Sequence, residues 1–115
     1  MIYKGGCHCG KIAFEVEGDI QQVIQCNCSI CTTRGYLLWF VDRDKLRLET
    51  PEADLGTYTF NTGTIRHHFC PKCGGTPFGV GTRPDGKASA AINVRCLKGI
   101  DLATLKVVPF DGRSL

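Results

Sequence analysis

The segment CPKCGG, residues 70–75, decides the fold of this 115-residue chain, because it places two cysteines at zinc-ligand spacing beside glycines that let the backbone turn around a metal. A second short pair, Cys7 and Cys9 in GGCHCG, lies on one side of an extended segment, with His8 pointing away. Together with Cys70 and Cys73, this pair predicts a four-cysteine structural zinc site joining distant parts of the chain. Such a site can contribute roughly 10 kcal/mol to the folding of a small domain.

A third group of cysteines lies in CNCSIC, residues 26–31, which supplies Cys26, Cys28 and Cys31 without a fourth cysteine nearby. The first two thiols fall at the end of a predicted strand, and Cys31 falls in the first turn of a short helix, whose N-terminus favours thiolate. Three protein ligands, with water or substrate as the fourth, are typical of catalytic zinc. The chain is therefore predicted to bind two zinc ions, one structural and one catalytic and labile.

Other groupings of these donors remain open. Cys96, His67 or His68 would close the second site if one of them became its fourth ligand. Cys96 alternates with apolar residues in AAINVRC, which predicts a buried core thiol, and the two histidines are successive strand residues, one facing inward and one outward. The Cys7 and Cys9 pair could also combine with two cysteines of residues 26–31.

Apolar periodicity predicts a mainly β, single-domain protein with very little helix over residues 1–115. Ile12, Phe14 and Val16 alternate with polar side chains in KIAFEVEG, as in a half-buried strand. The continuous apolar run YLLWFV, residues 36–41, predicts a strand buried on both faces. The segments VIQCNC, LRLET, TYTF and IRHHFC predict further strands, with a turn at residues 61–63.

Turn residues mark the remaining boundaries. RPDG, residues 83–86, predicts a hairpin that joins TPFGVGT to KASAAINVRC. The predicted helical segments are residues 29–34, ended by Gly35, and a short turn after Asp101, whose side chain can cap free amides.

Composition narrows the function classes. Seven of the eight cysteines lie at chelating spacings, which indicates bound metal in the reducing cytoplasm rather than disulfides. The chain has no run of about 18 apolar residues, so no membrane span is predicted. The start of the chain lacks the pattern of a secretory signal. Seven thiolates and two zinc ions would bring the formal charge from +3 to about zero, and the basic residues are scattered, so nucleic acid is not an expected partner.

The chemistry of three thiolates on Zn²⁺ favours a soft fourth ligand. Such a site carries a net negative charge and is a weaker Lewis acid than a three-imidazole site, so water activation is disfavoured. A thiol can instead bind as thiolate and stay nucleophilic. The sequence thus indicates thiol chemistry, with a small electrophile such as an aldehyde as the second reactant.

Four segments together resemble the glutathione-dependent formaldehyde-activating enzyme family, whose zinc domain also occurs in centromere protein V: GGCHCGKIAFEVEG, CNCSICTTRG, FCPKCGGTPF and INVRCLKGIDL. The resemblance covers nearly the whole chain and implies a β-tent fold. It implies structural zinc on Cys7, Cys9, Cys70 and Cys73, and catalytic zinc on Cys26, Cys28 and Cys31.

The reaction implied by the resemblance is that of a zinc-dependent carbon–sulfur lyase. Glutathione and formaldehyde condense to S-(hydroxymethyl)glutathione, with the glutathione sulfur on the catalytic zinc. Glutathione is anionic, so its carboxylates need basic partners, and the candidates are Arg34, Arg66, Lys72 and Arg95.

Two other interpretations make different predictions. A non-catalytic, zinc-stabilised binding module for protein or nucleic acid predicts two closed metal sites and an exposed basic or apolar patch. A reductase using Cys96 as a redox nucleophile predicts an accessible thiol with a lowered pKa.

Overall fold

A computed structural model describes residues 1–60 and 63–114, and these ranges contain ten β-strands and one α-helix. The strands are β1 Ile2–Gly6, β2 Ala13–Glu17, β3 Val23–Cys26, β4 Leu38–Asp42, β5 Leu46–Leu48, β6 Gly56–Tyr58, β7 Arg66–Phe69, β8 Phe78–Thr82, β9 Ala88–Asn93 and β10 Val107–Phe110. The helix is α1, Ser29–Arg34. Short 3-10 turns occupy Arg43–Lys45, Glu52–Asp54, Val94–Cys96, Leu102–Thr104 and Gly112–Ser114. The predicted mainly β class is confirmed, whereas Asn61 and Thr62 of the predicted turn lie outside the described residues.

The strands form two sheets. One has the order β1-β2-β5, and the other has the order β10-β3-β4-β9-β8-β7-β6. Pairing is antiparallel except between β10 and β3, which run parallel and place Phe110 opposite Cys26. This parallel pair brings the end of the described chain to the cysteines that follow β3.

The core lies between the two sheets and confirms the alternation predicted for β2. Ile12, Phe14 and Val16 are buried, with Phe14 only 1% exposed. The Phe14 ring meets the Phe78 ring of the larger sheet edge to face, with centroids 5.7 Å apart. Burial of such side chains is the main favourable contribution to folding.

The prediction that YLLWFV is buried on both faces is wrong. In β4, Trp39 is 7% exposed, whereas its neighbour Phe40 is 55% exposed. Trp39 packs against Tyr3 of the smaller sheet, with ring centroids 5.7 Å apart. The opposite face of β4, with Leu38 and Phe40, lines an open cavity instead of packing against a second layer.

The predicted hairpin and helix ends are confirmed. The amide of Gly86 donates to the carbonyl of Arg83 at 2.9 Å, and Gly86 has a φ of 86°, which glycine adopts without steric cost. Gly35 ends α1 in the left-handed conformation, with a φ of 69°. The Asp101 carboxylate accepts from the amide of Ala103 at 3.1 Å, so it caps the turn that follows it.

Candidate metal centres

The first candidate centre is a four-thiol cluster made of Cys7, Cys9, Cys70 and Cys73. Their Sγ atoms all lie within 4.8 Å of one another. The first two residues follow β1 and the other two follow β7, so the cluster connects one sheet to the other. Among the described residues, Cys7 and Cys9 do not share a cluster with the thiols of residues 26–31.

Backbone amides point at the sulfurs of the four-thiol cluster. The amide of Ile12 donates to Cys7 Sγ at 3.2 Å, and the amide of Cys73 donates to Cys70 Sγ at 3.4 Å. Gly75 donates to Cys73 Sγ at 3.4 Å, and a Cβ on this glycine would lie 3.1 Å from the Cys7 Cβ. Amide donors stabilise the thiolate form, which is the form that binds metal.

The pKa values of Cys73 and Cys9 are shifted in opposite directions. Amide donors, first that of Cys9 and then that of Gly75, lower the pKa of Cys73 to about 6. For Cys9 the amide of Lys11 lowers the pKa, but burial and the neighbouring thiols outweigh it and raise the pKa to about 11. Thiols this close cannot all ionise readily without a cation between them, so the arrangement favours a bound metal.

The second candidate centre is a three-thiol cluster made of Cys26, Cys28 and Cys31, whose Sγ atoms also lie within 4.8 Å of one another. Cys26 ends β3, Cys28 is the extended residue before α1, and Cys31 lies in the first turn of that helix. The amide of Cys28 donates to Cys26 Sγ at 3.4 Å. Within residues 1–60 and 63–114, no other Cys, His, Asp or Glu brings a ligand atom within this distance of all three sulfurs.

Burial and backbone amides shift the pKa values of Cys31 and Cys28 in opposite directions. Burial raises the pKa of Cys31, and the nearby thiols of Cys28 and Cys26 raise it further. Burial also opposes ionisation of Cys28, but the amides of Cys31 and Ile30 and the neighbouring thiols outweigh it and lower its pKa. Cys28 therefore loses its proton more readily than Cys31.

Two cavities meet at the three-thiol cluster, and Cys26 and Cys31 line both of them. We call the first the apolar cavity: its volume is about 420 Å³, and its walls include Ile24, Leu38, Phe60, Phe78 and Phe110. We call the second the polar cleft: its volume is about 560 Å³, and its walls include Gln25, Asn27, Thr32, Arg95 and Asp111. The cluster thus separates an apolar environment from a charged one.

The histidines of β7 divide between two environments. His67 lines the apolar cavity and stacks on Phe60 with ring centroids 5.5 Å apart. Burial, together with the charge of Arg34, lowers the pKa of His67, which is neutral at pH 7. Nδ1 of His68 lies 3.1 Å from the hydroxyl of Thr57, on the neighbouring strand. Neither imidazole reaches all three sulfurs, and sequence patterns did not indicate that His67 belongs to the cavity wall.

The prediction that Cys96 continues the buried alternation of β9 is wrong. The strand ends at Asn93, and Val94–Cys96 is a 3-10 turn, so Cys96 is only half-buried. Burial and the nearby thiolates of Cys7 and Cys73 raise its pKa to about 11. Cys96 is therefore a protonated thiol beside the four-thiol cluster, the opposite of what the reductase interpretation requires.

Residues 111–113 complete the surroundings of the three-thiol cluster, which sequence patterns did not predict. The side chain of Asn27 donates to Asp111 Oδ1 at 2.9 Å and accepts from the amide of Arg113 at 2.9 Å. These hydrogen bonds hold Gly112 close to Cys26: a Cβ added to Gly112 would lie 2.5 Å from Cys26 Sγ. The only local signals were Asn27, which lies between Cys26 and Cys28, and Gly112, which follows β10.

One of the four basic candidates, Arg95, lines a cavity at the three-thiol cluster. Arg95 lines the polar cleft, and its Nε donates to the carbonyl of Gly35 at 3.2 Å. Arg34 donates to the Tyr36 hydroxyl at 2.9 Å and lies over the ring of Tyr58. Arg34, Arg66 and Lys72 line neither the apolar cavity nor the polar cleft.

Two sheets carrying two thiol clusters define a mainly β protein able to hold metal ions through cysteine sulfur. The family model for the glutathione-dependent formaldehyde-activating enzyme matches residues 2–105, and the chain belongs to this family. It is also similar to the crystal structure of a Rhodobacter sphaeroides protein, with 32% sequence identity and a TM-score of 0.79 over 92% of this chain and 97% of that one. These matches confirm the resemblance found in the sequence. None of the described helical segments is long and apolar enough to span a membrane.

Proposed function

We propose that this protein is a zinc-dependent carbon–sulfur lyase that condenses glutathione with formaldehyde to S-(hydroxymethyl)glutathione. The observation that carries the proposal is the three-thiol cluster, which faces two cavities and gains no fourth donor from the described residues. Membership of the formaldehyde-activating family supports the choice of thiol and aldehyde.

The residues present fit two zinc ions. Thiolate sulfur is a preferred zinc ligand, and backbone amides oriented toward the sulfurs favour the thiolate form in both clusters. Cys7, Cys9, Cys70 and Cys73 would hold the structural ion, and Cys26, Cys28 and Cys31 the catalytic ion. At the three-thiol cluster zinc would lower the pKa of an incoming thiol and keep the resulting thiolate nucleophilic. The absence of a side chain at Gly112 leaves room beside Cys26.

The polar cleft suits the body of glutathione, which carries two carboxylates and one ammonium group. Arg95 offers a cation to a carboxylate at one wall of this cleft. Asp111 offers an anion at the same cleft, because hydrogen bonds from Ser114 and Asn27 lower its pKa and keep it ionised. These opposite charges orient the tripeptide so that its sulfur points toward the cluster.

The reaction needs neither oxidant nor reductant. The thiol loses its proton, its sulfur forms a bond to the aldehyde carbon, and the carbonyl π electrons move to oxygen, which takes up a proton. Hemithioacetals also form without a catalyst, so the protein contributes mainly by holding the two reactants in position. The apolar cavity places mainly apolar side chains on one side of the sulfurs.

The cysteine chemistry also supports a proposal for the cellular location. We propose one zinc-binding domain over residues 1–115 that functions in the cytoplasm, where reducing conditions keep thiols available for metal. All eight cysteines are free thiols in the structure.

Exchange NMR with carbon-labelled formaldehyde and glutathione tests the proposal, because it measures how fast aldehyde and hemithioacetal interconvert at equilibrium. The zinc-loaded protein is expected to accelerate this exchange, and Cys28→Ser is expected to abolish the acceleration. Cys96→Ser is a matched control, since it removes a thiol that belongs to neither cluster. Equal exchange rates with and without wild-type protein would disprove the lyase function.

A binding module is the second candidate function, favoured by exposed apolar side chains around the apolar cavity, among them Phe40 and Phe110. It predicts no acceleration of exchange. It also predicts no additional zinc–sulfur contact when glutathione is added, which X-ray absorption at the zinc edge would measure.

A further inference from the structure

The apolar cavity is far larger than formaldehyde requires. Its volume is about 420 Å³. Formaldehyde has two non-hydrogen atoms, so it needs roughly the space of one or two water molecules, about 30–60 Å³. Since glutathione is expected in the polar cleft on the other side of the cluster, most of the apolar cavity has no assigned occupant.

The walls of this cavity select against charge. Phe78 forms part of it and is buried, and Ile24, Ile30 and Leu38 add aliphatic surface. No Lys, Arg, Asp or Glu is among the described residues that line it. Removing a carboxylate or an ammonium group from water into such a site would be costly. The charged ends of a peptide thiol are therefore excluded, whereas an uncharged organic group is accepted.

The mouth of the cavity carries exposed apolar side chains. Phe40 is 55% exposed, Ile65 is 49% exposed and Phe110 is 48% exposed. Phe60, partly exposed at the same mouth, stacks on His67. A ligand that covers these side chains gains affinity in proportion to the apolar area that both partners remove from water.

We propose that the apolar cavity binds the organic group of a larger aldehyde, so that the protein accepts aldehydes with an apolar substituent about the size of a phenyl ring. This inference rests on the proposed lyase function and specifies its second substrate. The carbonyl carbon would lie at the three-thiol cluster, between a thiol body in the polar cleft and a ring in the apolar cavity.

The bonds made and broken are those of hemithioacetal formation. The thiol S–H bond and the carbonyl π bond break, while a C–S bond and an O–H bond form. The proton lost from sulfur balances the proton gained by oxygen, and no redox partner is required.

The first experiment compares phenylacetaldehyde with formaldehyde in the exchange assay, using the zinc-loaded full chain and glutathione. The KM for phenylacetaldehyde is expected to be at least about tenfold lower than that for formaldehyde, because a buried ring adds apolar contact. Phe40→Asp, which places a charge at the cavity mouth, is expected to lower the phenylacetaldehyde-to-formaldehyde ratio of kcat/KM by about tenfold.

The matched control is Val107→Asp. Val107 is likewise an exposed apolar strand residue, and it is not among the residues lining either cavity. This variant is expected to leave the ratio unchanged. Ile65→Asp is a second test variant at the cavity mouth, outside the strands, in case Phe40→Asp does not fold.

The second experiment measures binding without turnover. 2-Phenylethanol has the shape of phenylacetaldehyde but no carbonyl group. Saturation-transfer NMR is expected to detect its binding to the wild-type protein and to the Val107→Asp variant, with a weaker signal for Phe40→Asp.

The outcomes separate this inference from the proposed function. If formaldehyde exchange is accelerated but phenylacetaldehyde shows no lower KM and 2-phenylethanol does not bind, the larger-aldehyde inference is overturned and the lyase function stands. If neither aldehyde is accelerated, the lyase function is overturned and the inference falls with it. The inference is supported if the wild-type protein has a lower KM for phenylacetaldehyde than for formaldehyde, and if Phe40→Asp but not Val107→Asp lowers the phenylacetaldehyde-to-formaldehyde ratio of kcat/KM.

Discussion

The four-thiol and three-thiol clusters use the same ligand atoms but are built in different ways. The four-thiol cluster takes Cys7 and Cys9 from one part of the chain and Cys70 and Cys73 from another, and Cys70 is completely buried. The three-thiol cluster comes from the six residues 26–31, and all three of its cysteines line the apolar cavity. One cluster joins two sheets, and the other faces the space where ligands can enter.

We propose that this difference in the source of the ligands separates a structural role from a chemical one. Donors far apart in sequence make the metal a crosslink, because its loss frees a long stretch of chain. Donors from one short segment constrain little of the chain, so their metal can be lost with little effect on the fold. Substitutions in the two clusters test this separation.

Loss of a ligand from the four-thiol cluster is expected to unfold the protein or nearly so. Cys70→Ser should remove about half or more of the roughly 10 kcal/mol that a structural zinc contributes. Urea unfolding followed by circular dichroism measures the loss. The control is Cys96→Ser, a half-buried thiol beside the same cluster. A Cys70→Ser variant as stable as this control would contradict the structural role.

Loss of a ligand from the three-thiol cluster is expected to abolish activity while leaving the fold intact. Cys28→Ser should change the free energy of unfolding by less than about 2 kcal/mol, because its cluster lies within one short segment. Elemental analysis should find one zinc per chain in place of two. If Cys28→Ser destabilised the protein as much as Cys70→Ser, the proposed division of roles would be wrong.

A glycine lies against each cluster, which gives a matched pair of substitutions. An added Cβ at Gly112 would lie 2.5 Å from Cys26 Sγ, and one at Gly75 would lie 3.1 Å from Cys7 Cβ. Gly112→Ala is expected to reduce the exchange rate about tenfold by displacing the cluster. Gly75→Ala is expected instead to lower the free energy of unfolding by about 1–2 kcal/mol with activity retained. Identical effects of the two substitutions on both quantities would refute this contrast.

The hydrogen bonds of Asn27 offer a smaller effect confined to the three-thiol cluster. Asn27→Ala removes its bonds to Asp111 and Arg113 and is expected to slow exchange a few-fold, with about 1 kcal/mol or less of stability lost. Asp101→Ala is the comparison, because it removes a similar side-chain bond, to the amide of Ala103. It should cost similar stability without slowing exchange, and equal slowing in both variants would exclude a positioning role for Asn27.

The smallest expected effect is on the pH dependence of stability. Burial lowers the pKa of His67 in the folded protein, whereas an unfolded imidazole has a pKa near 6.5. Below about pH 6.5 the unfolded chain binds this proton more readily, so the free energy of unfolding falls as the pH falls. His67→Gln should therefore lose less stability than the wild type between about pH 7.5 and 5.5.

Denaturant unfolding at the two pH values measures this difference. His8→Gln is the control, since His8 is an exposed histidine beside the four-thiol cluster. A wild-type-like pH dependence in His67→Gln would show that the burial of His67 does not contribute.

The sequence predicted the features that depend on local spacing. Alternation placed Phe14 and Val16 on one face of β2, RPDG specified its hairpin, and the cysteine spacings indicated which thiols could meet. These predictions succeeded because strand period, turn geometry and ligand distance are set within a few residues.

The features that the sequence did not reveal depend on which strands become neighbours. The bond between Asn27 and Asp111 exists because β10 runs parallel to β3, a pairing between strands more than 80 residues apart. Phe40 is exposed because one face of β4 borders a cavity, and apolar periodicity cannot distinguish such a face from one that is covered. Cys96 departs from its predicted alternation because β9 gives way to a 3-10 turn.

The compact origin of the three-thiol cluster has a consequence for protein design. Residues 26–31 can be exchanged as a unit without touching the four-thiol cluster that holds the two sheets together. Replacing these three cysteines with histidine or carboxylate ligands would present a harder metal to the same pair of cavities. The chain is in this sense a natural scaffold for installing artificial metal sites.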